Sequence, residues 1–510
     1  MQLEKLIQEL EYELYDAGGR PVAKDSEKGR RLLQQDILDI TNDSRHAGRG
    51  ILFFAICGAK SDGHSYIPQV AAAGTTAILT EHDVDPIGAA EGVSADDLVL
   101  IRVKSTRRGM ALVSAAFYGY PARELKMIGI TGTKGKTTTT YLVRSILEKA
   151  GMDVGLIGTI ESTWHEVHRP ANNTTPESLA LQKTLREMAD DGVEAVVMEV
   201  SSQALMLDRT AGILFDIGVF TNLSEDHIGP NEHKDFADYL HCKSLLFRQC
   251  RLAIVNGDDP HKDQILKGSS CQVLSYGMDL SNDLYAEDLQ LIEKPGELGI
   301  SFATKGILEL DCEVPTPGRF SVYNALSAIA ICHAFDVKAE DVEAALAGAR
   351  AKGRIELVKV SDAFTLMIDY AHNAVALESL LSTLREYRPH RLITLFGCGG
   401  NRSRARRFEM GEVSGRLSDL SIITSDNPRD EEPMDIIQDI VTGISRTTGA
   451  YVTIPDRREA IAYAIHHGEP GDIIVLAGKG HEDYQEIKGR KYPMDERVII
   501  ADILQKDAAR

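Results

Sequence analysis

The sequence has 510 residues, 43% of them apolar and 26% charged, with a formal net charge of −20. That length exceeds what one core supports and points to roughly two to four globular domains. The acidity excludes a general nucleic-acid or anionic-membrane binder, which the chain would repel, yet leaves room for a local basic pocket.

The opening segment, Met1 to Gly18, is amphipathic and acidic, with no basic leader region. No stretch approaches the roughly 18–20 apolar residues of a membrane span. The seven cysteines are scattered and form no Cys-x-x-Cys pair, which argues against a zinc site or disulfide framework. A reduced, cytoplasmic enzyme is the expectation.

Residues 1–118 read as a small α/β domain. Ile51–Ile56 and Thr76–Thr80 are apolar strands, with helical material at Ile67–Ala73 between them. Two polar stretches stand out, Asp43-Ser44-Arg45 and Gly58 to His64. Ser and Arg beside a strand suit a phosphate or uracil contact, and they equally suit a turn with a surface Arg.

Tyr120-Pro121 marks a boundary, and residues 119–348 alternate strand and helix, predicting a parallel sheet with crossover helices. Lys126 to Thr140 is the stretch around which the chain is organised. Met127, Ile128 and Ile130 form a buried strand, Gly132 and Gly135 allow a tight turn, and a helix begins near Lys136. A strand, a Gly-rich turn and a helix N-terminus make a phosphate cradle, with Lys136 on the outer phosphates and the Thr137 hydroxyl on Mg²⁺. The strict phosphate-loop pattern has Gly where Ile130 stands, so the general motif is matched loosely.

Glu199 ends the apolar strand Ala195–Val200, where open α/β sheets place ligands; a buried carboxylate there calls for a partner such as a cation. The next strand-end loop crowds Asn222, Asp226, His227 and His233 together. Lys243 follows on a helix, where a lone Lys reads as a solvated face. Asn324, near the start of an Ala-rich helix, reads as an N-cap or a base contact, the cap being favoured.

Residues 349–510 alternate again. Four apolar strands run into Asp369-Tyr-Ala-His372, Gly397 to Arg402, Asp426-Asn-Pro-Arg429 and Gly478 to Glu482. This is a doubly wound, Rossmann-like domain with its site along one sheet edge.

In their joint order, Gly132-Thr-Lys-Gly-Lys-Thr137, Glu199, Asn222 with Asp226-His227, Asn324, Gly353-Arg354 and Asp369 to His372 resemble the Mur ligase family of ATP-dependent peptidoglycan enzymes. The resemblance extends over the whole chain. In Asp43 to Arg45, Thr174-Thr-Pro176, Met198 to Ser202, Gly397-Cys-Gly-Gly400, Asp426 to Arg429 and Gly478 to Glu482 it resembles the branch that extends UDP-N-acetylmuramoyl-L-alanyl-D-glutamate. It implies three α/β domains, which bind the UDP sugar (1–118), ATP on a P-loop ATPase-like parallel sheet (119–348) and the incoming amino acid (349–510).

By that resemblance, Lys136, Lys243, His227 and Glu199 are catalytic. Gly132, Thr133, Lys134, Gly135, Lys136, Thr137, Thr138, Asn324, Arg354, Asp369 and His372 bind ATP. Thr137, Glu199, His227 and Lys243 (as a carbamate) hold Mg²⁺. Ser44, Thr174, Thr175, Ser201 and Arg209 bind the UDP substrate. Arg402, Asp426, Asn427, Arg429, Gly478 and Glu482 bind the amino acid. The implied partners are small molecules only, with no nucleic acid or membrane, and the chain is expected to be a monomer.

The Asp426 to Arg429 phrase marks meso-2,6-diaminopimelate within the family. A guanidinium grips the distal carboxylate, which L-lysine lacks. Gln203, the Asp226–His233 loop, Asn401-Arg-Ser403 and Asn373-Ala-Val375 depart from the usual diaminopimelate pattern. L-Lysine therefore stands as the alternative amino acid, and another Mur or folylpolyglutamate-type ligase, or a non-catalytic scaffold, as alternative functions.

Overall fold

The computed structural model describes residues 1–58, 61–83, 97–229, 232–294 and 296–508. Ala59 and Lys60 of the second polar stretch, and Pro230 and Asn231 of the His227–His233 loop, lie outside them. The chain forms two compact units, one of Met1–Thr140 with Gly151–Ser275, the other of Tyr141–Ala150 with Tyr276–Arg510. The expected boundaries at 118/119 and 348/349 both fall within a unit.

The first unit opens with a six-stranded sheet. In it Asp39–Thr41, Ile51–Phe54, Ala77–Thr80 and Val99–Val103 run parallel. Thr106–Phe117 covers one face, burying Met110 and Val113 against Leu52, Leu79 and Ile101. A second sheet in this unit is built around the expected strand Lys126–Thr131, which lies between Ala195–Glu199 and Phe215–Phe220, all three parallel. Its apolar residues are fully buried, as a strand covered on both faces requires.

Not all of the middle region is parallel. Glu161–Trp164 and Val167–Pro170 form an antiparallel hairpin on that sheet. In the second unit Leu284–Lys294, Glu297–Gly306 and Leu310–Val314 form an antiparallel ladder. Leu310–Val314 alternates buried and exposed residues. This period-2 pattern belongs to a sheet with one wet face, which the expectation of uniform strand–helix alternation did not provide for.

The remainder of the second unit is the expected doubly wound sheet. Its order is Glu356–Val358, Thr365–Asp369, Ile473–Ala477, Leu392–Phe396, Leu420–Ile423, Ala450–Thr453, antiparallel only at the first pair. Met367 and Val475 pack on one face with Leu377, Met410 and Ile440, while Leu366, Ile474 and Leu476 pack on the other with Ile461 and Ile499. Helices thus cover both faces, leaving the carboxyl ends of the strands as the open edge. Among the described residues, no helix is long and apolar enough to cross a membrane.

Candidate active site

The buried strand Lys126–Thr131 delivers the chain to Gly132, whose φ of 146° is glycine territory. A Cβ at Gly132 would stand 1.9 Å from Thr221 Oγ1, so no side chain fits between this turn and the end of the Phe215–Phe220 strand. Gly135 also takes a positive φ, and the helix Lys136–Lys149 starts directly after it. The loop is clamped from outside. Asn222 Oδ1 accepts from the Lys134 amide at 2.9 Å, its Nδ2 donates to the Lys134 carbonyl at 3.0 Å, and Thr221 Oγ1 donates to the same carbonyl at 2.7 Å. Thr133 Oγ1 lies 3.1 Å from the buried Tyr239 hydroxyl. The amides at the helix start therefore have a fixed frame in which to meet an anion.

Lys136 Nζ donates to the carbonyls of Gly132 (2.8 Å) and Thr133 (3.0 Å), folding over the loop. Beneath it lies Glu199, 1% exposed at the end of its strand. Glu199 Oε1 accepts from the Thr137 hydroxyl at 2.9 Å and the Thr159 amide at 2.8 Å, and Oε2 accepts from the Thr159 hydroxyl at 3.1 Å. A Cβ on Gly158 would come within 2.5 Å of Oε1, so the carboxylate rests against bare backbone. Thr159 went unnoticed in the sequence, since a lone Thr after a strand carries no signal.

Lys243 does not lie on a solvated face. It is 1% exposed, its Nζ donates to the Gly132 carbonyl at 2.8 Å, and it sits over the Tyr239 ring at 4.5 Å. Burial, and then the neighbouring Lys136 charge, push its ammonium pKa well below the usual value. A buried amine of this kind is readily neutral and hence nucleophilic.

A cavity of about 340 Å³ opens beside the loop, lined among others by Lys136, Thr174, Ser201, Arg209, His227 and His233. Thr175 lies just behind it, donating to the Glu199 carbonyl at 2.8 Å and accepting from the Ser201 amide at 3.0 Å. Arg209 is 7% exposed and held by the Thr175 carbonyl and the Glu177 carboxylate. Among the described residues, His227 makes no hydrogen bond to the Glu199 cluster. Its side chain is 56% exposed and faces Glu232 at 3.4 Å. His233 is the buried histidine of this loop, with Nε2 2.9 Å from Ser202 Oγ and Nδ1 3.1 Å from Asp238. Ser44 is not among the cavity's lining residues. It opens a short turn capped by Asp43, whose carboxylate also pairs with Arg45.

In the second unit, Asp369 accepts from the amides of Ile355 (2.9 Å) and Ala371 (2.8 Å), and burial raises its pKa. Arg354 lies over the Tyr370 ring at 4.6 Å, and His372 and His481 flank the same ring. Asn324 is not a cap. Pro317-Gly318 breaks the chain, Gly318 takes the N-cap place, and Asn324 is buried inside the helix Arg319–His333.

Strand order brings Asp426–Arg429, Gly397–Arg402 and Gly478–Glu482 to one edge. Arg429 donates to the Gly400 carbonyl at 2.7 Å and to Glu486 at 3.2 Å, and among the described residues its Nη2 meets no acceptor. Arg429 and Arg402 both pass over Gly399, where a Cβ would meet Arg429 Nη1 at 2.8 Å and Arg402 Cγ at 3.8 Å. Glu482 accepts from Asn427 and from the fully buried Lys479, each at 2.9 Å. A Cβ on Gly478 would lie 2.9 Å from Asp426 Oδ2. Lys479 was missed because it reads as one more Gly-flanked loop Lys. Below these loops Arg457 and Glu496 form an ion pair, 2% and 0% exposed, and Arg457 also donates to the Ala477 carbonyl at 2.9 Å and the Ser425 carbonyl at 3.4 Å.

Comparison with known proteins gives the family. The profile of the Mur ligase middle domain matches residues 130–332, that of the Mur ligase glutamate ligase domain residues 353–480, and that of the Mur ligase family catalytic domain residues 36–118. The chain belongs to the Mur ligase family. It is 42% identical over 478 residues to the UDP-N-acetylmuramoyl-L-alanyl-D-glutamate--2,6-diaminopimelate ligase of Alkaliphilus oremlandii, covering 92% of this chain and 95% of that one. To the enzyme of that name from Clostridium tetani it is 38% identical over 509 residues, 99% of this chain and 100% of the other. A solved structure of a ligase of that name matches with a TM-score of 0.70 at 26% identity, covering 100% of this chain and 99% of that one.

Proposed function

We propose that this chain is a Mur ligase of the MurE type. It joins meso-2,6-diaminopimelate to UDP-N-acetylmuramoyl-L-alanyl-D-glutamate at the expense of ATP, in the cytoplasm and as a monomer. The observation that carries this reading is the phosphate loop with Lys136 beside a cavity lined by Thr174, Ser201 and Arg209.

Three functional domains follow, with the UDP moiety at 1–118 near Ser44, ATP at 119–348 and the amino acid at 349–510. The Gly132–Thr138 loop receives the phosphates. Asn324, Arg354, Asp369 and His372 are the further ATP contacts, with Tyr370 and its flanking rings as an aromatic platform. Thr174, Thr175, Ser201 and Arg209 hold the muramoyl dipeptide so that the γ-carboxylate of its D-glutamate meets the γ-phosphoryl group in line.

That carboxylate takes the phosphoryl group and ADP leaves. The amine of the third substrate then attacks the acyl carbon, and phosphate departs as the amide forms. Lys136 screens the repulsion between the carboxylate and the phosphates. Thr137 and Glu199 are hard oxygen donors already paired at the loop, and they fit a Mg²⁺ ion. Lys243, as a carbamate, would supply a further carboxylate-like ligand, and His227 would supply a nitrogen donor to the same ion. The bound ion neutralises phosphate charge. At the last sheet edge, Arg429 and Arg402 take the distal carboxylate of diaminopimelate, while Glu482, the Gly478 carbonyl, Asp426 and Asn427 surround its ammonium.

The test is phosphate release from ATP with UDP-N-acetylmuramoyl-L-alanyl-D-glutamate, offering meso-2,6-diaminopimelate and L-lysine separately. Turnover with the first only is expected. Turnover with lysine only would overturn the Arg429 assignment, and turnover with neither would overturn the ligase.

A further inference from the structure

The carboxyl ends of two neighbouring parallel strands, Ile51–Phe54 and Ala77–Thr80, bring Cys57 and His82 side by side. Cys57 Sγ stands 3.4 Å from His82 Nε2 and 3.6 Å from Asp62 Oδ1. A tetrahedral ion with a metal–sulfur bond of about 2.3 Å and metal–nitrogen or –oxygen bonds of about 2.0–2.1 Å holds such donors about 3.5 Å apart. The Sγ–Nε2 and Sγ–Oδ1 separations match two edges of that tetrahedron, and the three donor atoms lie within 4.8 Å of one another. His64 fixes the carboxylate. Its Nε2 accepts from the Glu81 amide at 3.1 Å, so its Nδ1 carries the proton and donates to Asp62 Oδ1 at 2.6 Å. The Asp62 carboxylate also accepts from the His64 amide at 3.0 Å, which pins the loop.

The geometry points to a Zn²⁺ site formed by Cys57 Sγ, His82 Nε2 and the Asp62 carboxylate, with His64 as the group that orients Asp62. Sulfur with nitrogen suits a borderline-soft ion and excludes Mg²⁺, which takes oxygen donors. Binding forms a Zn–S bond and releases the Cys57 thiol proton to solvent. Asp62 and His82 are exposed, so the fourth position faces water. The ion ties Cys57 and Asp62 to His82, at the end of the neighbouring strand. The spacing resembles no zinc signature, because the fold and not the sequence supplies the proximity.

The test uses the full chain, stripped with chelator and titrated with Co²⁺ and Zn²⁺ in excess Mg²⁺. One ion per chain is expected, with a thiolate-to-cobalt charge-transfer band and the visible bands of a four-coordinate ion. Cys57→Ser should abolish the charge-transfer band, and His82→Ala should lose at least 100-fold in Zn²⁺ affinity against a chromophoric competitor. His64→Ala should keep the band and lose about 10- to 100-fold. Melting without metal checks that each variant folds, and the wild type alone should gain full stability on adding Zn²⁺. Absence of the band, its survival in Cys57→Ser, or unchanged affinity in His82→Ala would each overturn the site.

Discussion

Replacing Glu199 by Gln separates a metal ligand from a structural acceptor. The amide is isosteric. Turned so that its oxygen faces Thr137 Oγ1 and the Thr159 amide, it keeps both of those hydrogen bonds. Its nitrogen then meets Thr159 Oγ1, a hydroxyl that can accept as well as donate. Fold stability should therefore change by less than about 1 kcal/mol. The full negative charge is lost, however, and an interaction with a charged partner contributes about 2–3 kcal/mol, or roughly 30- to 150-fold. The Mg²⁺ concentration for half-maximal phosphate release should rise by that factor, with the melting temperature almost unmoved. An active Glu199→Gln enzyme with an unchanged Mg²⁺ requirement would refute the assignment. Glu199 would then be a buried acceptor and nothing more.

Lys243→Ala should lose at least 100-fold in turnover and regain part of it with millimolar formate or acetate, as a carbamate ligand requires; an equally active variant would sink the carbamate. Arg429→Ala should raise the KM for meso-2,6-diaminopimelate by roughly 30-fold or more, from a lost charged hydrogen bond of about 2 kcal/mol, while leaving the KM for ATP within twofold. Burial lowers the His481 pKa from its ordinary 6.5 to about 4. Between those values the unfolded chain binds the proton and the folded chain does not, so stability is complete above pH 6.5 and is lost as pH falls towards 4. Denaturation at pH 7.5 and pH 5 should differ by about 2 kcal/mol more in the wild type than in His481→Gln.

The elements legible in the sequence were those whose burial is written locally. Met127–Ile130 and Ala195–Met198 are short runs without a polar side chain, and the strands Lys126–Thr131 and Ala195–Glu199 keep them within a residue. The antiparallel ladder of Leu284–Val314 was not legible, because its half-wet strands look like charged loops when read for continuous apolar runs. Lys243 shows the same limit at the level of a site. The carbonyl it binds comes from 111 positions away, and nothing in its own helix announces that partner. Asn324 sits where a cap was expected, yet the helix had already begun at Arg319 because Gly318 gave the turn. Asp426, Arg429 and Glu482 were legible as motif residues. Lys479, which binds Glu482 and Asn427 from full burial, was not.

The Arg457–Glu496 pair grips the Ser425 and Ala477 carbonyls at the roots of two loops that form the last sheet edge. Neither side chain belongs to the proposed amino-acid contacts. Anchorage and the proposed selectivity thereby fall to different residues, so the guanidinium contacts at 402 and 429 can change while the strand ends stay where they are. A change of diet for such an enzyme needs new loop chemistry and no new scaffold.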